Sequence, residues 1–253
     1  MKRFIKTASF ILLVAALLGS GACTKLKDTP YTTIVSSQLN ATAQTNAALL
    51  GAAYTNWRFV LLDWDGLWRA QELSADQEVI PGRPNGWVDG GVYKRIHQHK
   101  WSADEGIVVN NWTRTYAGIT NCNRLIYQIE NGILDVGSTK DAAIAELRAL
   151  RASYYYILCD IFGNVPLVTK FDLPTGYLPT QSTRQQVYDF IVNELTAAMP
   201  LLSTKNDGTT YGKFNKWAAF TLLAKVYLNA GVYTGTPQWQ KCIDACDMVM
   251  EKI

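Results

Sequence analysis

Between positions 83 and 90 the chain reads Arg-Pro-Asn-Gly-Trp-Val-Asp-Gly. An indole, a guanidinium, an amide and a carboxylate this close together are the groups that hold a sugar. The apolar C–H face of a sugar ring stacks on an aromatic, and its hydroxyls bond to the polar side chains. The Gly and Pro content predicts an irregular backbone rather than a helix. A Trp in such a loop either meets a ligand or folds back as a plug over the helices. Trp87, with Arg83, Asn85 and Asp89, is the first set of candidate ligand contacts. Trp64 and Trp68 follow as further candidates, although their four-residue spacing also fits a buried stripe, and the core is the expectation for both.

Other chemistry is less well supplied. Asp63, Asp65, Glu72, Asp76 and Glu78 invite an acid–base pair for glycoside hydrolysis, which needs two carboxyls about 5–9 Å apart. A solvated acidic face is the commoner meaning of such a cluster, and no catalytic residue is assigned. His97-Gln98-His99 would place both rings on one side of a strand, too few ligands for a metal site. No Gly-rich phosphate loop and no G-x-S-x-G elbow is found, and no cofactor is implied. Cys122, Cys159, Cys242 and Cys246 are expected to be small buried hydrophobes rather than disulfides or metal ligands.

Helices must position these residues. Apolar groups recur at helical spacing over 38–60, 106–130 and from Ala143 to Ile161. Ser138-x-x-Asp141 and Ser182-x-x-Gln185 have the form of capping boxes, and Pro200 ends the helix after the second. Asn215 is placed to cap a helix running from Trp217 to a stop at Gly231. Thr236-Pro237 is placed to start the next, with its stripe at Trp239, Ile243, Cys246, Val249 and Met250. The last two helices resemble tetratricopeptide pairing. Extended backbone is expected at Val165–Lys170 and Thr209–Lys213. Residues 62–101, crowded with Trp and Tyr, and 162–182, with three prolines, are the long connections. Phe162-Gly163-Asn164 reads as a helix exit. Arg148 and Arg151, three apart, are read as holding a helix or loop rather than an anion.

The chain has 253 residues, enough for a sizeable core. Lys2, Arg3 and Lys6 carry the whole net charge of +3, since the other basic residues balance the acids. The balance past residue 22 argues against a nucleic-acid partner. A basic start, an apolar run from Ala8 to Leu18 and Ser20-Gly21-Ala22 predict a secretory signal over 1–22. The small-small-Cys ending resembles a bacterial lipobox, which makes Cys23 the lipid attachment site and 23–37 a tether. The remainder, 38–253, is expected to be one helical domain. Its pattern is still helical at Ile253, which predicts the N-terminal part of a longer protein.

The run from Ala145 to Val168 (AELRALRASYYYILCDIFGNVPLV) resembles the hallmark of the SusD/RagB family of lipoproteins. Arg184–Ile191 with Glu194 and Leu195, then Lys216–Leu228, then Trp239 with Cys242, Ala245 and Val249, match that family's later helices in order. The resemblance implies a mainly all-α fold of tetratricopeptide-like helix pairs with long loops. It implies an outer-membrane, lipid-anchored protein facing the cell surface in Bacteroidetes-type bacteria. It also implies the partners: an oligosaccharide ligand and a SusC-like TonB-dependent transporter to which that ligand is delivered. The family has no fixed ligand motif at 83–90, so those contacts rest on residue chemistry alone. The expected function is capture without catalysis. The alternative is a helical-repeat scaffold that binds protein or peptide.

Overall fold

The computed structural model describes residues 43–251 apart from 76, 84 and 87, with backbone only for 43–46. The signal over 1–22, Cys23, the tether, Trp87 and Asp76 lie outside the described residues.

Helices dominate because the apolar residues recur every three to four positions. They are α1 (Ala43–Leu62), α2 (Leu67–Ser74), α3 (Val92–His97), α4 (Gly106–Glu130), α5 (Lys140–Ile161), α6 (Arg184–Ala198), α7 (Lys216–Leu228), α8 (Ala230–Thr234) and α9 (Trp239–Met250). Along α4 the buried positions Ile107, Asn111, Thr115, Gly118, Cys122, Leu125 and Ile129 trace one stripe. The long helices pack as successive neighbours, α1 on α4, α4 on α5, α5 on α6 and α7 on α9. The fold is all-α apart from one small two-stranded pairing, as expected. Among the described residues no helix is long and apolar enough to cross a membrane.

The core centres on α5. Tyr154 and Tyr155 are fully buried while Tyr156 is partly covered. Three consecutive helical positions point in three directions, so only a helix covered on most of its circumference buries two of them. Tyr154 donates its hydroxyl to the Ala53 carbonyl (2.7 Å), and Tyr155 donates to the Val168 carbonyl (3.0 Å). Arg151, buried, joins Glu194 of α6 through Nε (3.0 Å) and Asn123 of α4 through Nη1 (2.7 Å). Arg148 bonds the other Glu194 oxygen (2.9 Å). The two arginines therefore tie three helices together, the structural role expected of them.

The connection from α5 to α6 is stapled at its base. Gly163 leaves α5 at φ 75°, a left-handed conformation that glycine adopts without Cβ strain. Val165 and Pro166 (β1) pair antiparallel with Ser182 and Gln181 (β2). Asn164 accepts from the Arg184 backbone N–H (2.7 Å) and from Gln181 (3.0 Å). Arg184 returns to donate to the Cys159 and Asp160 carbonyls at the end of α5, where a cation complements the helix dipole.

Several expectations are corrected. The α6 capping box is Thr183 with Gln186, one residue on, because Ser182 is used in β2. Ser138 lies in a 3₁₀ turn (Gly137–Thr139) and α5 has no side-chain cap. Asn215 caps α7 as expected, but α7 ends at Leu228. Gly231 sits inside α8, and Gly235 (φ 76°) is the stop. Thr236 does not cap α9; Gln238 precedes that helix and makes no side-chain cap. The α9 stripe is not a core face: Ala245 is buried, while Trp239, Ile243 and Met250 are exposed. Of the two stretches expected to be extended, Val165–Lys170 contributes only Val165–Pro166 to a strand. Thr209–Lys213 is a turn, because the Asp207 carboxylate captures the Thr209 backbone N–H (2.8 Å). Cys122 and Cys159 are buried thiols, but Cys242 is half-buried and Cys246 exposed; all four are free.

Candidate ligand-binding site

Residues 62–101 are more ordered than their composition suggests. They contain α2, a 3₁₀ turn at Asp89–Gly91 and α3, gathered over a second small core of Leu73, Tyr93, Ile96 and Ile107. His97 ends α3 and His99 has φ 55°, so the two rings do not share a strand face. Among the described residues no three His, Cys, Asp or Glu side chains group to hold a metal.

Trp64 and Trp68 are not core. They are 48% and 54% exposed, because the turn after α1 swings both away from the α1–α4 contact. That turn is pinned from α4. Arg114 pairs with Asp63, Asn110 donates to the Asp65 carboxylate (2.9 Å) and Asn111 donates to the Asp65 carbonyl (3.1 Å). Gly66 is needed there, since a Cβ would meet the Asp63 carbonyl at 2.8 Å. Arg69 lies 3.9 Å over the Trp64 ring and donates to the Trp64 carbonyl (2.6 Å). The Trp64 backbone N–H, and then Arg114, hold the Asp63 carboxyl below its ordinary pKa.

The opposing turn is clamped from within. Asp89, Gly90 and Gly91 all have positive φ, at 44°, 59° and 78°. Arg95 donates to the Gly90 carbonyl (2.8 Å) while its fork engages both Glu105 oxygens (2.7 and 2.8 Å). Glu105 is held below its ordinary pKa by this bond. Asp89 and Arg69 both lie close to Tyr93, whose pKa is raised first by burial. Arg83 and Asn85 sit exposed on a separate turn, closed by the Gly86 N–H to the Arg83 carbonyl (3.0 Å), with Asn85 at φ 59°.

The larger concavities lie elsewhere. One of about 610 Å³ opens between α1, α5 and α7, with Trp57, Tyr156, Phe214, Lys213 and Lys225 on its walls. A second, of about 320 Å³, lies where α2 and α4 meet the end of α5, under Trp101. Gln71 and Asp160 line both. A third, of about 300 Å³, lies between Trp112 and Tyr116 of α4 and Phe171 and Pro179 of the α5–α6 connection. Arg83, Asn85, Asp89, Trp64 and Trp68 line none of these three. The residues of the second concavity went unread in the sequence, because they come from separate segments and no local pattern joins them.

Residues 63–228 match a family model described as starch-binding and associating with the outer membrane. The chain belongs to this SusD-like family. The starch-binding protein SusD of Bacteroides thetaiotaomicron is 28% identical over 164 residues, covering 65% of this chain and 28% of that protein. A SusD-like protein of Bacteroides ovatus is 29% identical over 163 residues, covering 60% of this chain and 28% of that protein. The SusD-like fold is matched by a laminarin-binding SusD-like protein with TM-score 0.71 at 24% identity, over 83% of this chain and 44% of that one. Surface glycan-binding protein A of Bacteroides uniformis gives 0.68 at 23% identity, over 83% and 46%. The chain thus spans less than a third of its curated SusD-like relatives and under half of these two structures.

Proposed function

We propose that this SusD-like protein is a lipid-anchored subunit at the cell surface that binds oligosaccharide and delivers it to a SusC-like TonB-dependent transporter in the outer membrane. It acts by capture, with no catalytic residue. The observation that carries this reading is the exposure of two large indoles, Trp64 on a turn fixed in place from α4 and Trp68 in the first turn of α2. The exposed Trp68 ring, and the Trp64 ring outside its contact with Arg69, suit the apolar face of a sugar at little entropic cost. Asp89, Arg83, Asn85 and Trp87 are the further ligand contacts of this reading, by residue type. The names of the relatives, which bind starch and laminarin, support an oligosaccharide as the ligand class. Cys23 would carry the lipid once residues 1–22 are removed.

Calorimetry with maltoheptaose and laminarihexaose tests the reading. Saturable binding to one, weakened about ten-fold in Trp68→Ala, corresponding to ~1.4 kcal/mol, is expected. Binding of neither sugar, with binding of a peptide library instead, would replace it with the scaffold alternative.

A further inference from the structure

The cysteines of α9 differ from those of the core. Cys122 and Cys159 are buried on separate helices, whereas Cys242 and Cys246 stand four apart on α9, the first half-buried and the second exposed. Residues four apart on a helix share a face, with Cβ atoms about 5–6 Å apart. The Cys242 thiol is hydrogen-bonded with that of Cys246, so the two sulfurs turn toward each other. Met250, four residues further on, continues the row and is 64% exposed. Three sulfurs therefore line one edge of one helix.

This spacing suits a bridging ion better than a bond between the sulfurs. A disulfide needs Cβ atoms about 3.5–4.5 Å apart, so it would have to distort α9. A metal ion held by two thiolate bonds of about 2.3 Å adds their length between the sulfurs and leaves the helix intact. The donor set then chooses the ion. Zn(II) takes four ligands in a tetrahedron, and among the described residues no third His, Cys, Asp or Glu joins the pair. Calcium and magnesium take oxygen. Cu(I) is a soft ion that is satisfied by two or three sulfur ligands, a thioether included.

We propose that α9 carries a binding site for one Cu(I) ion, held by the Cys242 and Cys246 thiolates with the Met250 thioether as third ligand. Each thiol releases its proton to solvent as its sulfur bonds the metal. Two S–H bonds are replaced by two S–Cu bonds, and no atom changes oxidation state. The site stands apart from the glycan reading, which places no ligand contact on α9.

Anaerobic titration of the protein into a Cu(I)–bicinchoninate complex tests the site. One equivalent of copper per chain is expected to leave the chromophore. Cys242→Ser and Cys246→Ser, with folding checked by circular dichroism, are each expected to lower copper affinity at least about a hundred-fold, and Met250→Leu about ten-fold. Bound copper is also expected to slow maleimide labelling of Cys246, while zinc at the same concentration leaves it unchanged. No copper withdrawn, or equal withdrawal by Cys246→Ser and the native protein, would overturn the site. Equal protection by zinc would overturn the choice of ion, and an unchanged affinity in Met250→Leu would remove the thioether from the ligand set.

Discussion

The ring of Tyr154 occupies the space where a side chain at position 118 would stand. A Cβ on Gly118 would lie 2.3 Å from the Tyr154 Cζ. The missing side chain lets α4 and α5 approach closely, and the same Tyr hydroxyl reaches on to α1 at Ala53. Three helices depend on this one contact. Gly118→Ala is expected to destabilise the fold by about 1–3 kcal/mol through overpacking. Tyr154→Phe keeps the ring and is expected to cost about 1 kcal/mol through the lost hydrogen bond. Urea unfolding followed by circular dichroism checks both, and a neutral Gly118→Ala would contradict the packing.

Glu194 is the shared counter-ion of Arg148 and Arg151. Arg151 and Glu194 are both buried, so removing one leaves the other charged and unpaired. Glu194→Ala is expected to cost about 3–5 kcal/mol. The paired change Arg151→Met with Glu194→Leu is expected to recover much of that loss, because desolvation of the charges goes with them. A double-mutant cycle on the unfolding free energies measures the coupling.

Glu146 accepts the Tyr54 hydroxyl (2.7 Å) in a largely buried position, and burial raises its pKa. A raised carboxyl favours the protonated folded state. Its contribution to stability is therefore present at pH below the ordinary Glu value and is lost as pH rises through the raised value. Glu146→Gln keeps an acceptor for Tyr54 without the charge. It is expected to be more stable than the native protein at pH 7 and to lose that advantage near pH 4. Chemical denaturation at the two pH values decides the sign.

Among the four described cysteines, burial pushes the Cys122 thiol up to about 12 and the Cys159 thiol up to about 11. Thiolate is the reactive form, so both should resist a maleimide in the folded protein. Cys246, exposed on α9, should label first. Peptide mapping by mass spectrometry after brief labelling should find Cys122 and Cys159 modified only once denaturant is added.

Helix identity was readable wherever one stripe repeated over several turns, as in α4, whose observed bounds coincide with the expected 106–130. Caps were less readable because adjacent residues compete. Ser182 and Thr183 can both accept a backbone N–H, and only the pairing of β2 decides for Thr183. The spacing of Trp64 and Trp68 looks the same for a buried stripe and for a turn feeding a new helix. The hydrogen bonds from Asn110, Asn111 and Arg114, more than forty residues away, set their exposure.

The staple at the base of the α5–α6 connection has an evolutionary consequence. Once β1, β2, Asn164 and Arg184 close the loop, the registration of the two helices no longer depends on what lies between them. The tip is open: Gly176 turns at φ 81° and Leu178 is 86% exposed. Loop closure penalises added length only slowly. Residues 171–178 can therefore lengthen, shorten or change composition at little cost to the scaffold, and related chains can diverge there while the helices stay fixed.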